Sequence, residues 1–243
     1  MIQNDQKNVN QNVDPAEIEK FSAIASRWWD TEGEFKPLHK INPLRLDFIE
    51  QHVGGLFGKQ VVDIGCGGGL LTEGMAQRGA KVRGIDLAEQ SLQVARLHAL
   101  ESELDIPYDC IAAEDFAEQH NAQFDVVTCL EMLEHVPDPA SIVGAVSRLV
   151  KPGGKVFFST LNRNVKSWLL GIFAAEHVLK WVPKGTHDHQ RFIKPSELLA
   201  MTDRYGLQAN AINGIVYHPL QGFQLSQQDV DVNYIVALTK PGA

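Results

Sequence analysis

The fold is decided by VVDIGCGGG, residues 61–69, where a short β-branched run stops at a cluster of glycines. Residues 70–78 directly after it have helical spacing. A strand, a glycine-rich turn and a helix in this order begin a parallel β–α–β unit. Glycine also lets the backbone approach a ligand that a side chain would hold away. The stretch therefore predicts an α/β fold with a ligand site at the end of the first strand.

Strands and helices alternate along the chain from this point. Further strands are predicted at residues 81–85, 108–112, 124–129 and 155–160, and helices at residues 89–102 and 139–149. Two later strand-like runs, residues 207–217 and 232–239, have no helix between them and predict an antiparallel pair, because a parallel pair needs a crossover. We therefore expect a doubly wound, Rossmann-like sheet of seven strands, mostly parallel with an antiparallel C-terminal strand.

The N-terminal residues predict a helical extension to this fold. Residues 1–13 are polar, rich in Asn and Gln, and are predicted to form a disordered tail. Asp14 is a predicted N-cap, Pro15 the first helical residue and Glu17 the end of a capping box. A second helix is predicted at residues 43–52. We expect residues 14–243 to form a single domain, with residues 14–57 as its helical cap.

The composition excludes several classes of protein. Acidic residues outnumber basic ones by 30 to 22, for a formal net charge of −8. Because a phosphate backbone is bound by Lys and Arg, we expect no nucleic-acid partner. Three cysteines cannot form a disulfide framework, and the polar N-terminus does not resemble a signal peptide, so a cytoplasmic location is predicted.

The glycine cluster differs from the dinucleotide-binding fingerprint. That pattern, G-x-G-x-x-G, would place its third glycine at position 70, which is Leu70. The pattern present is D-x-G-x-G-x-G, beginning at Asp63. An acid, Asp86, ends the second predicted strand, and a carboxylate there suits the two hydroxyl donors of a ribose.

Asp63, Gly65, Gly67 and Asp86 together resemble the motifs of the class I S-adenosylmethionine-dependent methyltransferases. The resemblance implies that the glycine loop holds the methionyl end of S-adenosylmethionine and that the acid after the second strand holds its ribose. Glu114 or Asp115, after the third predicted strand, is the candidate for the adenine contact. The motif of base-methylating enzymes, (N/D)-P-P-(Y/F), is missing after the fourth predicted strand, where residues 130–137 read LEMLEHVP.

Much of the chain resembles the family of bacterial ubiquinone biosynthesis O-methyltransferases. The most specific segments are Arg27-Trp28-Trp29-Asp30, Asn42-Pro43-Leu44-Arg45 and Lys184-Gly185-Thr186-His187-Asp188. The resemblance implies two O-methylations of polyprenyl catechol-type acceptors, 2-polyprenyl-6-hydroxyphenol and 3-demethylubiquinol, and a place beside other ubiquinone-biosynthesis enzymes. It also implies four cofactor contacts, at Arg45, Gly65, Asp86 and Leu130. Leu130 departs from the methionine usual there. A methyltransferase for another small phenol, for RNA or for protein is the alternative.

Methyl transfer to a phenol requires removal or compensation of a proton, because a phenol has a pKa near 10. Glu131, Glu134 and His135 are the candidate catalytic residues. If a helical turn starts at the end of the fourth strand, the three lie on one face and can hold a divalent ion. The resemblance implies a magnesium ion there. The alternative is that His135 acts as a general base without a metal.

Residues 165–190 are predicted to be an insertion after the fifth strand. Residues 167–183 are rich in apolar side chains and contain two tryptophans, but they are too short and too polar to span a bilayer. The segment is predicted to be a lid over the site or to contact the membrane surface, with the protein peripheral on the inner face of the cytoplasmic membrane, and the two interpretations are compatible because a polyprenyl substrate has to pass such a segment. His187 either faces the acceptor or lies in a surface loop.

Overall fold

In the part of the chain that the structure describes, one mixed sheet of eight strands forms the centre of the molecule. The computed structural model describes residues 12–33, 35–167 and 189–242. The strands are β1 (Gln60–Ile64), β2 (Lys81–Asp86), β3 (Tyr108–Cys110), β4 (Phe124–Leu130), β5 (Val150–Leu161), β6 (Gln208–His218), β7 (Gly222–Ser226) and β8 (Asn233–Thr239). Their order in the sheet is β3-β2-β1-β4-β5-β8-β6-β7. Neighbours among β1 to β5 are parallel, and β8 is antiparallel to β5. The predicted α/β class is therefore confirmed.

The predicted strand count, seven, is one too low. The additional strand is β7, which forms a hairpin with β6 at the edge of the sheet. Residues 219–231 carry turn signals and several glutamines, and the apolar–polar alternation of a strand covers only the four residues Phe223-Gln224-Leu225-Ser226. Gly222, in the left-handed conformation with φ 75°, lets the chain turn into β7.

Helices cover both faces of the sheet. They are α1 (Pro15–Ile24), α2 (Lys36–Val53), α3 (Leu70–Gln77), α4 (Glu89–Glu101), α5 (Ala113–Gln119), α6 (Pro139–Leu149), α7 (Val165–Ser167) and α8 (Pro195–Arg204). One core lies between the sheet and α5, α6 and α8, and includes Phe116, Ile142 and Leu198. A second core lies on the other face under α2 and α3, and includes Phe48, Ile49 and Met75.

The helical cap differs in detail from its prediction. Asp14 is the N-cap of α1, as predicted, and its side chain accepts a hydrogen bond from the Ala16 backbone. Glu17 does not close a capping box, because its carboxylate is bound to other side chains. The second helix begins at Lys36 instead of residue 43, and Pro43 lies inside it. The reason is that α2 packs on the sheet, and this burial outweighs the local signal of the proline.

Parts of two predicted segments lie outside the described residues. These are residues 1–11 of the predicted tail and residues 168–188 of the predicted insertion, including His187. Asn12 is described, and its amide donates to the backbone carbonyl of Asp138 at 2.7 Å. Among the described residues, the longest apolar helical stretches fall short of what a membrane crossing requires.

Candidate active site

A cavity of about 680 Å³ lies beyond the carboxyl ends of β1, β2 and β4. This is the edge where open parallel sheets bind their ligands, and the volume is within the usual range for small-molecule sites. The glycine loop, α1, the first turns of α2 and the β6–β7 hairpin all contribute to its walls. No residue of α1, which the structure describes completely, is buried, because the apolar side of this helix faces the cavity.

The glycine loop after β1 leaves no room for side chains. Gly65 and Gly67 have φ values of 69° and 53°, in the left-handed region that glycine adopts without strain. A Cβ atom at Gly65 would lie 2.6 Å from Cγ of Met132, and one at Gly67 would collide with the ring of Trp28. Gly65 and Gly67 line the cavity, and their predicted contact with the methionyl end of a cofactor stays a prediction.

Asp63 lies in β1, two residues before Gly65, and holds the start of the glycine loop in place. Its side chain is only 3% exposed, and its two oxygens accept hydrogen bonds from Thr72 at 2.7 Å and from Thr128 at 2.6 Å. Burial raises the pKa of this carboxyl to about 6. Asp63 therefore ties β1 to α3 and β4. It lines the cavity, and its predicted contact with the cofactor stays a prediction.

Asp86 connects the end of β2 to the glycine loop. One carboxylate oxygen accepts a hydrogen bond from the Gly67 backbone, and the other from the Ala88 backbone, both at 2.8 Å. Burial raises the pKa of Asp86 above its ordinary value. Each oxygen retains a second lone pair, and Asp86 lines the cavity. The arrangement fits a ribose diol, whose hydroxyls need two acceptors at this position.

Of the two candidates for the adenine contact, Glu114 lies in the cavity wall. Its carboxylate accepts hydrogen bonds from Ser141 at 2.7 Å and from Asn12 at 3.1 Å. Asp115 is exposed, on the side of α5 that faces solvent. The geometry therefore favours Glu114, with Ile111 beside it as an apolar surface for a flat ring.

Glu131 is held in an unusual backbone conformation at the end of β4. Its φ is 53°, a left-handed value that is rare and strained for any residue except glycine. The Glu131 carboxylate accepts hydrogen bonds from Arg45 at 2.5 Å, Ser159 at 2.7 Å and Asn233 at 2.9 and 3.0 Å. Arg45, a predicted cofactor contact, is buried and also lines the cavity. The network joins α2, β4, β5 and β8 at one point of the cavity wall.

Glu134 is buried beside this network, in a 3₁₀ turn at Leu133–His135. One carboxylate oxygen accepts a hydrogen bond from Thr160 at 2.8 Å, and the other has no hydrogen-bond partner among the described residues. Burial, together with the neighbouring charge of Glu131, raises the pKa of Glu134. The environment therefore shifts this carboxyl toward its protonated form, relative to an exposed glutamate.

His135 is paired with a carboxylate from α1. Its Nδ1 lies 2.7 Å from Oε2 of Glu17, and the ring of Phe21 meets the imidazole edge-on, with 5.0 Å between centroids. The hydrogen bond to His135 lowers the pKa of Glu17 to about 2, so Glu17 is ionised. A carboxylate bound to Nδ1 fixes the tautomer of a histidine and directs the lone pair of Nε2 to the opposite side. His135 lines the cavity, so this geometry is that of an oriented base.

The predicted three-residue metal site is not formed. Glu131 directly follows the last residue of β4, and the helical turn begins only at Leu133, so the three residues do not share one helical face. Glu131 binds the Arg45 network, whereas Glu134 and His135 bind Thr160 and Glu17. Among the described residues, no three His, Cys, Asp or Glu side chains are placed to hold a metal ion. The residues therefore do not fit the predicted magnesium ion.

Sequence patterns did not find all of the side chains around this cavity. Glu17 had a helix-capping pattern, and Ser159 and Asn233 lie in strands without a charged or metal-binding motif. Leu130 lies in the cavity wall, and its contact with the cofactor, which the resemblance implies, stays a prediction. Cys110 is exposed, whereas Cys66 and Cys129 are buried.

The fold and the cavity together define a class I S-adenosylmethionine-dependent methyltransferase, because the glycine loop and Asp86 flank the cavity at the switch of the strand order. A family model described as a methyltransferase domain matches residues 39–211. The chain is 72% identical, over 97% of both chains, to a ubiquinone biosynthesis O-methyltransferase of Idiomarina loihiensis. It is 58% identical to the protein of the same name from Escherichia coli O9:H4, over 94% of this chain and 95% of that one. The chain therefore belongs to the family of ubiquinone biosynthesis O-methyltransferases.

Solved structures agree with the fold. A methyltransferase of Thermotoga maritima, described as a possible histamine N-methyltransferase, superimposes with a TM-score of 0.64 at 17% identity, covering 93% of this chain and 99% of that one. Magnesium protoporphyrin IX methyltransferase of Synechocystis with bound S-adenosylhomocysteine gives a TM-score of 0.62 at 18% identity, covering 87% of both chains. At these identities the likeness concerns the fold alone.

Proposed function

We propose that this protein methylates a phenolic hydroxyl of polyprenyl catechol-type acceptors, at both O-methylation steps of ubiquinone biosynthesis. The acceptors are 2-polyprenyl-6-hydroxyphenol and 3-demethylubiquinol. The observation that carries the proposal is the Glu17–His135 pair in the wall of the same cavity as the glycine loop and Asp86. The name of the relatives that match this chain over nearly its full length supports this choice of acceptor.

In the cofactor half of the cavity, Asp86 accepts hydrogen bonds from the ribose hydroxyls, and Gly65 and Gly67 give space to the methionyl group. Bound S-adenosylmethionine supplies a methyl group that is attached to a positively charged sulfur. When the methyl group is transferred, the sulfur becomes a neutral thioether. Arg45 and Leu130 are the further proposed contacts with the cofactor. The chain then has to place the acceptor oxygen in line with that methyl group and to remove its proton.

His135 is the proposed general base. Its Nδ1–H donates to Glu17, and Nε2 takes the proton of the acceptor hydroxyl as the new oxygen–carbon bond forms and the carbon–sulfur bond breaks. Glu17 keeps the imidazole in the correct tautomer and stabilises its charged form. Glu131 and Glu134 shape the wall beside the acceptor. The proposal contains no magnesium ion, because among the described residues Glu131, Glu134 and His135 are not placed to share one ion.

The experiment that tests the acceptor class is a competition for labelled methyl groups. The purified protein is incubated with methyl-labelled S-adenosylmethionine, a prenylated catechol, bulk RNA and an unrelated protein in one reaction. We expect the label in the catechol, as one ether methyl group per acceptor. Label in RNA or protein, with none in the catechol, would contradict the proposal and favour the alternative classes of acceptor.

We further propose that the protein works as a peripheral protein at the inner face of the cytoplasmic membrane. Residues 167–183, which lie outside the described residues apart from Ser167, have the apolar side chains and tryptophans of an interfacial segment. A polyprenyl tail keeps the acceptor in the same membrane. Flotation with anionic vesicles tests this: the intact protein should float, and Trp168→Ser with Trp181→Ser should reduce the floating fraction. Equal flotation of both proteins would contradict it.

A further inference from the structure

We propose that the β6–β7 hairpin and the first turns of α2 form a slot for the prenyl tail of the acceptor. The slot makes the hairpin a specificity element that distinguishes tailed from tail-free catechols. This inference rests on the proposed function, since it assigns the part of the acceptor that the methyl-transfer centre does not use.

The hairpin extends past the rest of the sheet. Asn233, the first residue of β8, pairs with Ile215 of β6 and with Leu161, the last residue of β5. Among the described strands, residues 216–218 therefore pair with β7 and lie beyond the end of β8. At about 3.3 Å per residue, these three residues carry the hairpin roughly 10 Å beyond its neighbours. Because β6 runs parallel to β5, the extension lies at the edge where the cavity opens.

The side of the hairpin that faces the cavity is apolar. Ile215 and Tyr217 lie on the same face of β6. Ile215 pairs with Leu225 of β7, and Tyr217 pairs with Phe223. The rings of Tyr217 and Phe223 lie 5.2 Å apart. Leu225 packs against the core under α2, which identifies this face as the one turned toward α2. Ile215, Tyr217 and Phe223 all line the cavity.

The start of α2 supplies the opposite side of the slot. Leu38 and Ile41 line the cavity there, and Arg45 lies one turn further along the helix. Polar groups around Glu131 thus occupy the inner end of the slot and apolar side chains its sides. Leu220, in the turn of the hairpin, is 91% exposed, so the outer end reaches solvent or a lipid surface.

An acceptor with an aromatic head and an aliphatic tail matches this distribution. Its hydroxyls lie at the polar inner end near His135, and its first isoprene units lie between Ile41 and Phe223. The continuity of the apolar wall with the methyl-transfer cavity is the reason for choosing the tail as the occupant. A peptide would leave its backbone groups without hydrogen-bond partners in such a slot.

The test compares two acceptors, a catechol with a geranyl tail and the same catechol without a tail. Phe223→Ser and Tyr217→Ser should each lower kcat/KM for the tailed acceptor about tenfold, the loss of roughly 1.4 kcal/mol of apolar contact, mainly through KM. Neither variant should change kcat/KM for the tail-free acceptor. Phe223→Leu should restore much of the loss. Leu100→Ser, at an exposed position on α4, is the matched control and should change neither value.

Two results overturn the inference in distinguishable ways. Equal kcat/KM of the unaltered protein and the Phe223→Ser variant on the tailed acceptor, or equal losses on both acceptors, would remove the slot and leave the proposed function intact. Failure of the unaltered protein to methylate either catechol would remove the proposed function and the slot together.

Discussion

Replacing Asp63 with Asn should change how the stability of the protein depends on pH. Burial raises the pKa of Asp63 to about 6, from an ordinary value of 3.8. Because the folded state holds this proton more tightly than the unfolded state, the stabilisation is complete below the unfolded pKa and is lost as the pH rises through 6. Between pH 5 and pH 8 the free energy of unfolding should therefore fall by roughly 1.4 kcal/mol through this group alone.

The Asp63→Asn variant lacks this titration and keeps the shape of the side chain. Urea unfolding without cofactor, followed by tryptophan fluorescence, measures both proteins at pH 5 and pH 8. From pH 5 to pH 8, the free energy of unfolding of the variant relative to that of the unaltered protein should rise by about 1.4 kcal/mol. Asp229→Asn is the control: the hydrogen bond from Lys166 keeps the pKa of Asp229 below 3.8, so its titration lies outside this range. A difference for Asp63→Asn that is the same at both pH values would refute the reasoning.

Three further variants test the cavity wall. Asp86→Ala should weaken the binding of S-adenosylhomocysteine about ten- to a hundredfold in calorimetry, since the ribose hydroxyls lose a charged acceptor; unchanged affinity would remove Asp86 from the site. Glu17→Gln should lower kcat at least tenfold with nearly unchanged cofactor affinity, because His135 loses its carboxylate partner. Glu19→Gln, on the exposed side of the same helix, should leave kcat unchanged. Equal kcat values for the two variants would contradict the pairing of Glu17 with His135. Gly54→Ala should cost about 1–2 kcal/mol in thermal unfolding, because its φ is positive and nothing lies near the added Cβ. Gly67→Ala should cost more, because its Cβ would also collide with the Trp28 ring, and only this variant should abolish cofactor binding. Cofactor binding by the Gly67 variant at the normal affinity would contradict the crowding argument.

The parts of the fold set by local signals could be predicted from the sequence. The turn from β1 into α3 depends on a few consecutive residues with positive φ, and the glycines at positions 65 and 67 indicate such a turn in the sequence. Asp86, at the end of β2, could also be predicted, because it belongs to the same β–α–β unit as the glycine turn. The start of α2 could not be predicted in this way, because Pro43 is a common start signal and only packing against the sheet carries the helix back to Lys36.

The pairing of His135 with Glu17 could not be predicted from the sequence, because the fold brings these two residues together. Glu17 and His135 are 118 positions apart, and Glu17 also fits a capping pattern. The predicted metal site failed for a related reason. Spacing places Glu131 and Glu134 on one face only if a helix begins at Glu131, and the strand ends there in a left-handed conformation that no sequence pattern announces. Arg45 and Asn233, which hold that conformation, come from distant parts of the chain.

The central claim is that His135, oriented by Glu17, removes the acceptor proton beside the cofactor loop. The most direct test is the single-turnover rate of methyl transfer from carbon-13-labelled S-adenosylmethionine to a prenylated catechol, for the unaltered protein and for His135→Gln. The account predicts an aryl methyl ether as the labelled product and a rate about 10²- to 10⁴-fold lower for the variant, with S-adenosylhomocysteine bound equally well by both. A variant that transfers methyl groups at the rate of the unaltered protein would contradict the account.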